Sequence, residues 1–298
     1  MELNKLENLV EIALSKPKKK IAVAASEDEQ VLLALKQATD IGIVEPILVG
    51  NLSKTKDLAN QIGFDIEKYE FIEESNPAKS ARIAVQMVRE GKAQIIMKGL
   101  VNTADYLRAI LDKEIGLRTG NLLSHIGVFE IPAYHKLIGL TDAAQNIAPN
   151  LEEKVSIVQN SVDLLRRLGI ENPKVALLAA VENVNPKMQA TIDAALITMM
   201  NRRGQIKNCI IDGPLAFDNA VSKEAAEHKG IVSPVAGDAD LLVAPEIETG
   251  NALYKSFTYF AGGVVAAIIL GAMVPIVLTS RADTEKSKLM SIALAASF

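Results

Sequence analysis

Thr279, Ser280, Arg281 and Asp283 follow one another closely in IVLTSRADTEKSK, directly after an apolar run at 276–278. Arg281 offers a planar fork that matches phosphate or carboxylate. Ser280 can donate to an oxygen on which negative charge develops. Asp283 can accept a proton. A serine beside an arginine is common, so the dipeptide alone proves nothing. Its place is more telling. A short apolar run reads as a buried strand, and this one ends by delivering a hydroxyl, a guanidinium and a carboxylate to one spot.

Other segments carry similar groups. In MKGLVNTADYLRAIL, 97–111, Asn102 or Thr103 can cap a helix whose first turn holds Asp105. Free N–H groups at that helix start, beside Lys98, suit an anion. An ordinary strand-to-helix turn with a surface lysine fits equally. The spacing of a Walker loop is missing. DKEIGLRTGNLLSHIGVFEIP, 112–132, brings Arg118, Thr119, Ser124 and His125 before a strand. His125 reads either as a general base or as a capping or core histidine. His135 and His228 lie in polar stretches, and the three histidines show no metal spacing. In TDAAQNIAPN, 141–150, Asp142 and Asn146 can contact a ligand or close an Asx turn. Asp212 and Asp218 in IDGPLAFDNAVS lack a third carboxylate at suggestive spacing, and hard cations want several oxygens, so no metal site is expected. In APEIETGNALYK, Glu246 follows a strand candidate, while Thr249 or Asn251 can cap a helix or, for Asn251, face a ligand.

The elements that must position these groups alternate along the chain. Strand candidates fall at 21–24, 45–49, 69–72, 93–97, 127–131, 136–140, 175–179, 208–212, 241–244 and 275–278. Helical patterns fall at 28–39, 77–90, 103–110, 151–168, 187–201, 216–228 and 250–270, with an amphipathic helix before Pro17. Such alternation implies βαβ units and a mostly parallel sheet. Strands rich in Val, Ile and Ala suit burial on both faces. KKKIAVAASEDEQVLLAL at 18–35 and NPKVALLAAVENVNPKMQATI at 172–192 look alike, as two related halves or as any two such units would. In open α/β sheets ligands bind beyond the carboxyl ends of the strands, and the strand ends at 98–103, 141–142, 182–183, 212–214, 245–246 and 279–281 all carry polar or charged residues.

Composition narrows the classes. The 298 residues are 49% hydrophobic and 23% charged, as in a packed globular protein and not a disordered one. A net charge of −4 with 4% aromatics leaves no footprint for nucleic acid. One cysteine, Cys209, excludes an intrachain disulfide and a cysteine-rich zinc site. The first twenty residues carry acids within their apolar periodicity and do not read as a signal peptide. FAGGVVAAIILGAMVPIVL, 260–278, approaches the length of a membrane span, but its glycines and Pro275 favour a buried helix to Leu270 and then a strand.

IIMKGLVNTADYLRAIL, GLRTGNLLSHIGVFEIP, GLTDAAQNIAPNLEEK, DGPLAFDNAVS, APEIETGNALYKSFTYFAGG and LTSRADTEKSKLMSIALA occur in this order from 95 to 295. Together they resemble the phosphate acetyl/butyryltransferase family, nearest its butyryl branch, over most of the chain. The resemblance implies reversible transfer of a short acyl group between CoA and inorganic phosphate. It implies two α/β domains, 1–124 with 267–298 and 125–266, similar in fold to the isocitrate and isopropylmalate dehydrogenases, with the active site in the interdomain cleft. It implies a cytoplasmic homo-oligomer, a dimer or larger, that needs no bound organic cofactor, CoA being a substrate. Neither nucleic acid nor a membrane is an expected partner. Carried over, Ser280 would hydrogen-bond the acyl carbonyl as it becomes an oxyanion and Arg281 would hold phosphate. Arg108 matches an arginine that would bind the phosphate or the CoA end. Lys98, Asn102 and Thr103 join the expected site from the helix-start argument, and Glu246 and Asn251 from their expected cleft position. The acetyl enzymes carry an aspartate several residues after the Ser–Arg pair as base for the CoA thiol. On ungapped counting Ser287 stands there, and Asp283 or Glu285 would take that part only after a shift.

Other functions fit parts of the pattern. An acetyl or branched-chain specificity would use the same chemistry, since each methylene changes binding by only about 1 kcal/mol. A non-catalytic sensor of acyl-CoA or acyl phosphate would keep the cleft without turnover. A dehydrogenase would share the fold, but G-x-G-x-x-G after a strand is missing.

Overall fold

Residues 3–278 and 283–298 are described in this computed structural model of the chain. The chain divides into two compact units, Glu7–Asn121 with Ala266–Phe298, and Met1–Leu6 with Leu122–Val265.

The first unit opens with α1 (Glu7–Leu14), β1 (Lys19–Ala24), α2 (Glu29–Ile41), β2 (Val44–Gly50), α3 (Leu52–Gln61), β3 (Glu70–Glu73), α4 (Pro77–Arg89), β4 (Ile95–Lys98) and α5 (Thr103–Ile110). The second contains β5 (Ser124–Glu130), β6 (Ile138–Thr141), α6 (Leu151–Arg167), β7 (Lys174–Leu178), α7 (Gln189–Arg202), β8 (Ile210–Leu215), α8 (Phe217–Val221), α9 (Lys223–His228), β9 (Leu241–Val243) and α10 (Ile247–Tyr259). The chain then completes the first unit with β10 (Val264–Leu270), β11 (Ile276–Val277) and α11 (Glu285–Ala296).

In the first unit the strands lie in the order β3, β2, β1, β4, β11, β10. All neighbours run parallel except β10 and β11, which are antiparallel. Ile21, Ala22, Val23 and Ala24 of β1 and Ile95, Ile96 and Met97 of β4 are fully buried, as strands covered by helices on both faces must be. The helices between them are started by side chains. Asp28 accepts from Val31 N at the head of α2, Asn76 from Lys79 N at α4, and Asn102 from Asp105 N at α5. Such caps satisfy N–H groups that a helix start leaves without partners. Helix α11 packs on α1 and α2.

In the second unit the order is β5, β6, β9, β7, β8. Here β5 and β6 are antiparallel and the remaining pairs parallel. Helix α6 begins with a reciprocal capping box between Asn150 and Glu153 and packs against β5 and β6. Lys154 in its first turn forms a buried ion pair with Asp193 of α7, 2.6 Å long.

Two sequence expectations are corrected. The helix expected over 250–270 ends at Tyr259, and 264–270 is the strand β10. Gly263 N caps back to Phe257 O at 2.8 Å, and Gly262 takes a φ of 65° that a side chain would resist. Val264, Val265, Ile268 and Ile269 then enter a strand, where β-branched side chains pack well. Ala267 N donates to Ser291 Oγ. The helix expected over 216–228 is two, because Ser222 leaves helical geometry to cap α9. Among the described residues no helix is long and apolar enough to cross a membrane.

Candidate functional site

The carboxyl ends of β1, β4 and β11 gather the first group of candidates. β1 pairs with β4 through Ala24 and Lys98, and β11 pairs with β4 through Ile276 and Ile96, Val277 and Met97. Lys98 and Leu278 therefore leave the sheet at the same edge. The turn after Lys98 folds tightly over the end of β1: Gly99 N donates to Ala24 O at 2.8 Å and Leu100 N to Ala25 O at 2.7 Å. A Cβ on Gly99 would stand 2.1 Å from Ala25 O, so only glycine permits this approach. Ala25 holds a positive φ of 53°. Ser80 fixes it from behind, accepting from Ala25 N at 2.7 Å and donating to Val49 O at 3.0 Å.

Lys98 is half-buried, and its Nζ donates to Gly99 O at 3.2 Å. Asn102 is the cap of α5, and Thr103 is exposed in the first turn. Asp105 sits in that same turn, bonded to Asn102 Nδ2 and to Arg108 Nη1. Its carboxylate already complements the positive end of the helix and works against a second anion there. Lys98 supplies the opposing charge. Arg108 is exposed and engaged with Asp105, so a phosphate would compete for its guanidinium.

Ser280 and Arg281 lie outside the described residues. After them, Asp283 is half-buried, and its carbonyl accepts from Lys288 Nζ at 2.5 Å. Lys288 is buried on α11. Thr284 caps α11, accepting from Ser287 N at 3.1 Å, and the two hydroxyls are 3.1 Å apart. Ser287 is thereby part of a helix cap. Lys288 went unremarked in the sequence. Its only signal was its place on the buried face of a helix that follows SRADT.

In the second unit the carboxyl ends of β6 and β9 meet the start of β5. Ile126 pairs with Thr141, and Thr141 with Val243. Asp142, next along, is 3% exposed and accepts four hydrogen bonds. Oδ1 takes Ala144 N and Gln145 N, each at 2.8 Å; Oδ2 takes His125 N at 3.0 Å and Asn146 Nδ2 at 2.7 Å. The Asx-turn reading of Asp142 holds, and it reaches further than a turn, because it also ties down the start of β5. Asn146 Nδ2 additionally donates to Leu123 O at 2.9 Å. Asn251 Nδ2 donates to Ala143 O at 3.2 Å, and a Cβ on Gly250 would stand 2.2 Å from Asp142 O. Glu246 precedes α10 and accepts from Thr249 Oγ1 at 2.5 Å. Asp142, Asn146 and Asn251 thus form one hydrogen-bonded corner, with Glu246 at the head of the same helix as Asn251.

His125 sits in this corner, 6% exposed. Its carbonyl accepts from Thr141 Oγ1 at 2.7 Å, and its ring lies 5.7 Å from that of Tyr254 on α10. Nδ1 is buried and has no hydrogen-bond partner among the described residues. Burial holds the imidazole below its ordinary pKa, against the opposing pull of the Asp142 carboxylate.

The remaining candidates lie apart from this chemistry. Asp212 accepts from the neighbouring Gly213 N at 3.0 Å, and Asp218 lies 3.7 Å from Lys229 Nζ. Among the described residues no three His, Cys, Asp or Glu side chains gather to hold a metal. Burial, with Asp163 adding to it, pushes the Cys209 thiol up to about 11, which keeps it protonated at neutral pH.

The profile of the phosphate acetyl/butaryl transferase family matches residues 5–82 and 73–296. A phosphate butyryltransferase of Clostridium acetobutylicum is 51% identical over 282 residues, covering 95% of this chain and 94% of its own. The crystal structure of a branched-chain phosphotransacylase from Enterococcus faecalis V583 superposes with a TM-score of 0.83 at 36% identity, covering 94% of this chain and 98% of that one. A 4-hydroxythreonine-4-phosphate dehydrogenase from Burkholderia phymatum gives a TM-score of 0.56 at 14% identity over 95% of this chain and 98% of its own, a likeness of fold alone.

Proposed function

This chain belongs to the phosphate acetyl/butaryl transferase family, and on that premise we propose that it moves a short acyl group, butyryl by preference, reversibly between CoA and inorganic phosphate. The observation that carries the reading is the 51% identity to a phosphate butyryltransferase along 95% of the chain. Transfer is direct, in a complex of enzyme with both substrates. Cys209, kept protonated at neutral pH, supports a route without an acyl-enzyme.

The chemistry asks for three things: a grip on phosphate, donors for the carbonyl oxygen as it becomes an oxyanion, and a way to remove the thiol proton. In this reading Arg281 holds phosphate through its fork and Ser280 donates to the oxyanion. Lys98 with Asn102 and Thr103 at the head of α5 adds positive potential for phosphate or the CoA diphosphate. Arg108 shares that task by exchanging Asp105 for the ligand. Glu246 and Asn251 line the acceptor side through the corner built on Asp142. An alkyl thiol, with a pKa at or above the cysteine value of about 8.5, is mostly protonated at pH 7, and the thiolate is the nucleophile. The proton acceptor is therefore needed in the direction that makes acyl-CoA. Asp283 is one carboxylate for it. In the other direction phosphate already carries negative charge, and positioning with oxyanion stabilisation suffices. The same resemblance supports a cytoplasmic homo-oligomer without a bound organic cofactor, whose assembly light scattering would measure.

Thiol release from acyl-CoA esters of increasing length, with and without phosphate, tests the reading. Release that requires phosphate, peaks at four carbons and falls by about a hundredfold or more in Arg281→Ala is expected, the magnitude being that of losing one transition-state donor. Release that ignores phosphate would mean a thioesterase. Binding of CoA with no release from any ester would mean a sensor. A peak at acetyl or at a branched ester would keep the chemistry and change the specificity.

A further inference from the structure

The ring of His125 packs beside Tyr254, but its Nδ1 has no hydrogen-bond partner among the described residues. Buried polar side-chain atoms in proteins are nearly always hydrogen-bonded, and leaving one unpaired costs roughly 1–3 kcal/mol. The backbone of His125 is fully used, its N–H by Asp142 and its carbonyl by Thr141. Its Nδ1 is buried without a partner among the described residues. Tyr106 Oη and Asn219 Oδ1 share that condition among the described residues, but neither group is a base near neutral pH. His125 stands where β6 and β9 end, the edge at which α/β sheets bind ligands, with Asn251 and Glu246 on the adjoining helix start.

Its neighbours suit one role. The nearby carboxylate, Asp142, has all its directions filled by four donors, so it is poorly placed to take a proton itself. Its negative charge still favours a cation formed on His125. Tyr254 on α10 also stands against the ring. Burial keeps the imidazole neutral, and so able to accept a proton, near pH 7.

Resting on the acyltransferase reading, we infer that His125, in place of Asp283, is the general base that takes the CoA thiol proton when acyl phosphate is the acyl donor. The S–H bond breaks and its proton moves to the imidazole. The sulfur electron pair forms the S–C bond to the acyl carbon, and the bond between that carbon and the phosphate oxygen breaks. Phosphate leaves with the bond pair and takes the proton back from the imidazolium. Acyl-CoA and hydrogen phosphate depart, and His125 is neutral again.

His125→Asn tests this, because an Asn amide places a hydrogen-bonding atom near the position of Nδ1 and cannot act as a base. Acyl-CoA formation from butyryl phosphate and CoA is followed across pH for both proteins, with thermal melting as a check on folding. For wild type, kcat/KM is expected to fall on the acid side with an imidazole titration below the ordinary value of about 6.5. For His125→Asn the rate is expected to drop by about a hundredfold or more, and the imidazole limb to vanish, leaving a rate that climbs toward the thiol's own pKa, at or above the cysteine value of about 8.5. A folded His125→Asn that keeps the wild-type rate, or loses rate with an unchanged acid limb, overturns the inference. The chain has only 3 histidines, so NMR of the ring nitrogens in wild type can assign the His125 titration directly, even if the variant fails to fold. A mismatch between that titration and the kinetic limb also overturns it. A wild type that makes no acyl-CoA from acyl phosphate defeats the acyltransferase reading itself, a different failure from a normal wild type with an indifferent variant.

Discussion

Asp142→Asn should unsettle the second unit before it says anything about ligands. The carboxylate is 3% exposed and satisfies four donors at 2.7–3.0 Å. An Asn there keeps one acceptor oxygen and turns the other into a donor. With the oxygen toward Ala144 and Gln145, the new NH₂ faces His125 N–H and the Asn146 amide. Flipped, it faces the two turn N–H groups. Either way two donors lose their acceptor. At roughly 1–3 kcal/mol for each buried donor left unsatisfied, the cost is about 2–6 kcal/mol, and about 3–5 is the expected centre. At about 2–4 °C per kcal/mol for a unit of this size, melting should fall by roughly 6–20 °C. Gly250→Ala should act on the same strut, since its Cβ would stand 2.2 Å from Asp142 O. Calorimetry of the purified variant, run beside the thiol-release assay, reads both effects. A variant that melts within about 2 °C of wild type yet has lost phosphate-dependent release would refute the argument, and Asp142 would then be a ligand contact and not a strut.

Two further outcomes follow from ion pairs. Asp193→Ala should cost about 3–5 kcal/mol, because it leaves the buried ammonium of Lys154 without its partner at 2.6 Å, whereas replacing both by apolar residues of similar volume should cost much less; urea unfolding of the two singles and the double measures this, and a double variant as unstable as Asp193→Ala would show that the stranded charge is not the cause. Asp112 is held down to about 2 from 3.8, chiefly by its bond to Arg82 and then by the N–H groups of Ile115 and Glu114. Its folded pKa lies below its unfolded one, so the contribution is present above about pH 4 and is lost as pH falls toward 2. Arg82→Ala should therefore flatten the acid limb of the stability curve in that window, and an unchanged limb would count against the pairing.

Much of the architecture was readable in the residues, for reasons that differ by element. Helix α5 is legible from Thr103 to Ile110 because Asn102 caps it and Tyr106, Ala109 and Ile110 define its buried face. Strand β10 reads from the sequence as the end of a helix because a run buried on both sides has no periodicity to distinguish the two; the deciding signals are Gly262 and the β-branched pairs after it. α3 left little trace in a polar stretch, SKTKDLANQ. The site is less legible than the fold. Lys98, Asn102 and Asp142 announce themselves by standing after strands. What Asp142 does depends on His125 N, 17 residues away, and no local pattern encodes that bond. The unpaired nitrogen of His125 is a property of what surrounds it in space. The parts assigned to Ser280 and Arg281 rest on resemblance.

The first unit is written in two separated stretches, Glu7–Asn121 and Ala266–Phe298, and the later stretch supplies β11, which pairs with β4, and α11, which packs on α1 and α2. Ser297 even closes on the start of the chain, donating to Leu9 O at 2.8 Å. During synthesis, the earlier stretch must wait for the later one. From Asn121 to Ile276, where β11 begins, is 276 − 121 = 155 residues, roughly 8–31 s of elongation at about 5–20 residues per second. Throughout that interval the edge of β4 has no strand to pair with, the kind of open edge that invites association with other chains. The second unit, nearly all of it continuous in sequence, has what it needs as soon as it emerges. On the ribosome the order of maturation is therefore inverted, and the amino-terminal half is the one that most needs a chaperone's shelter.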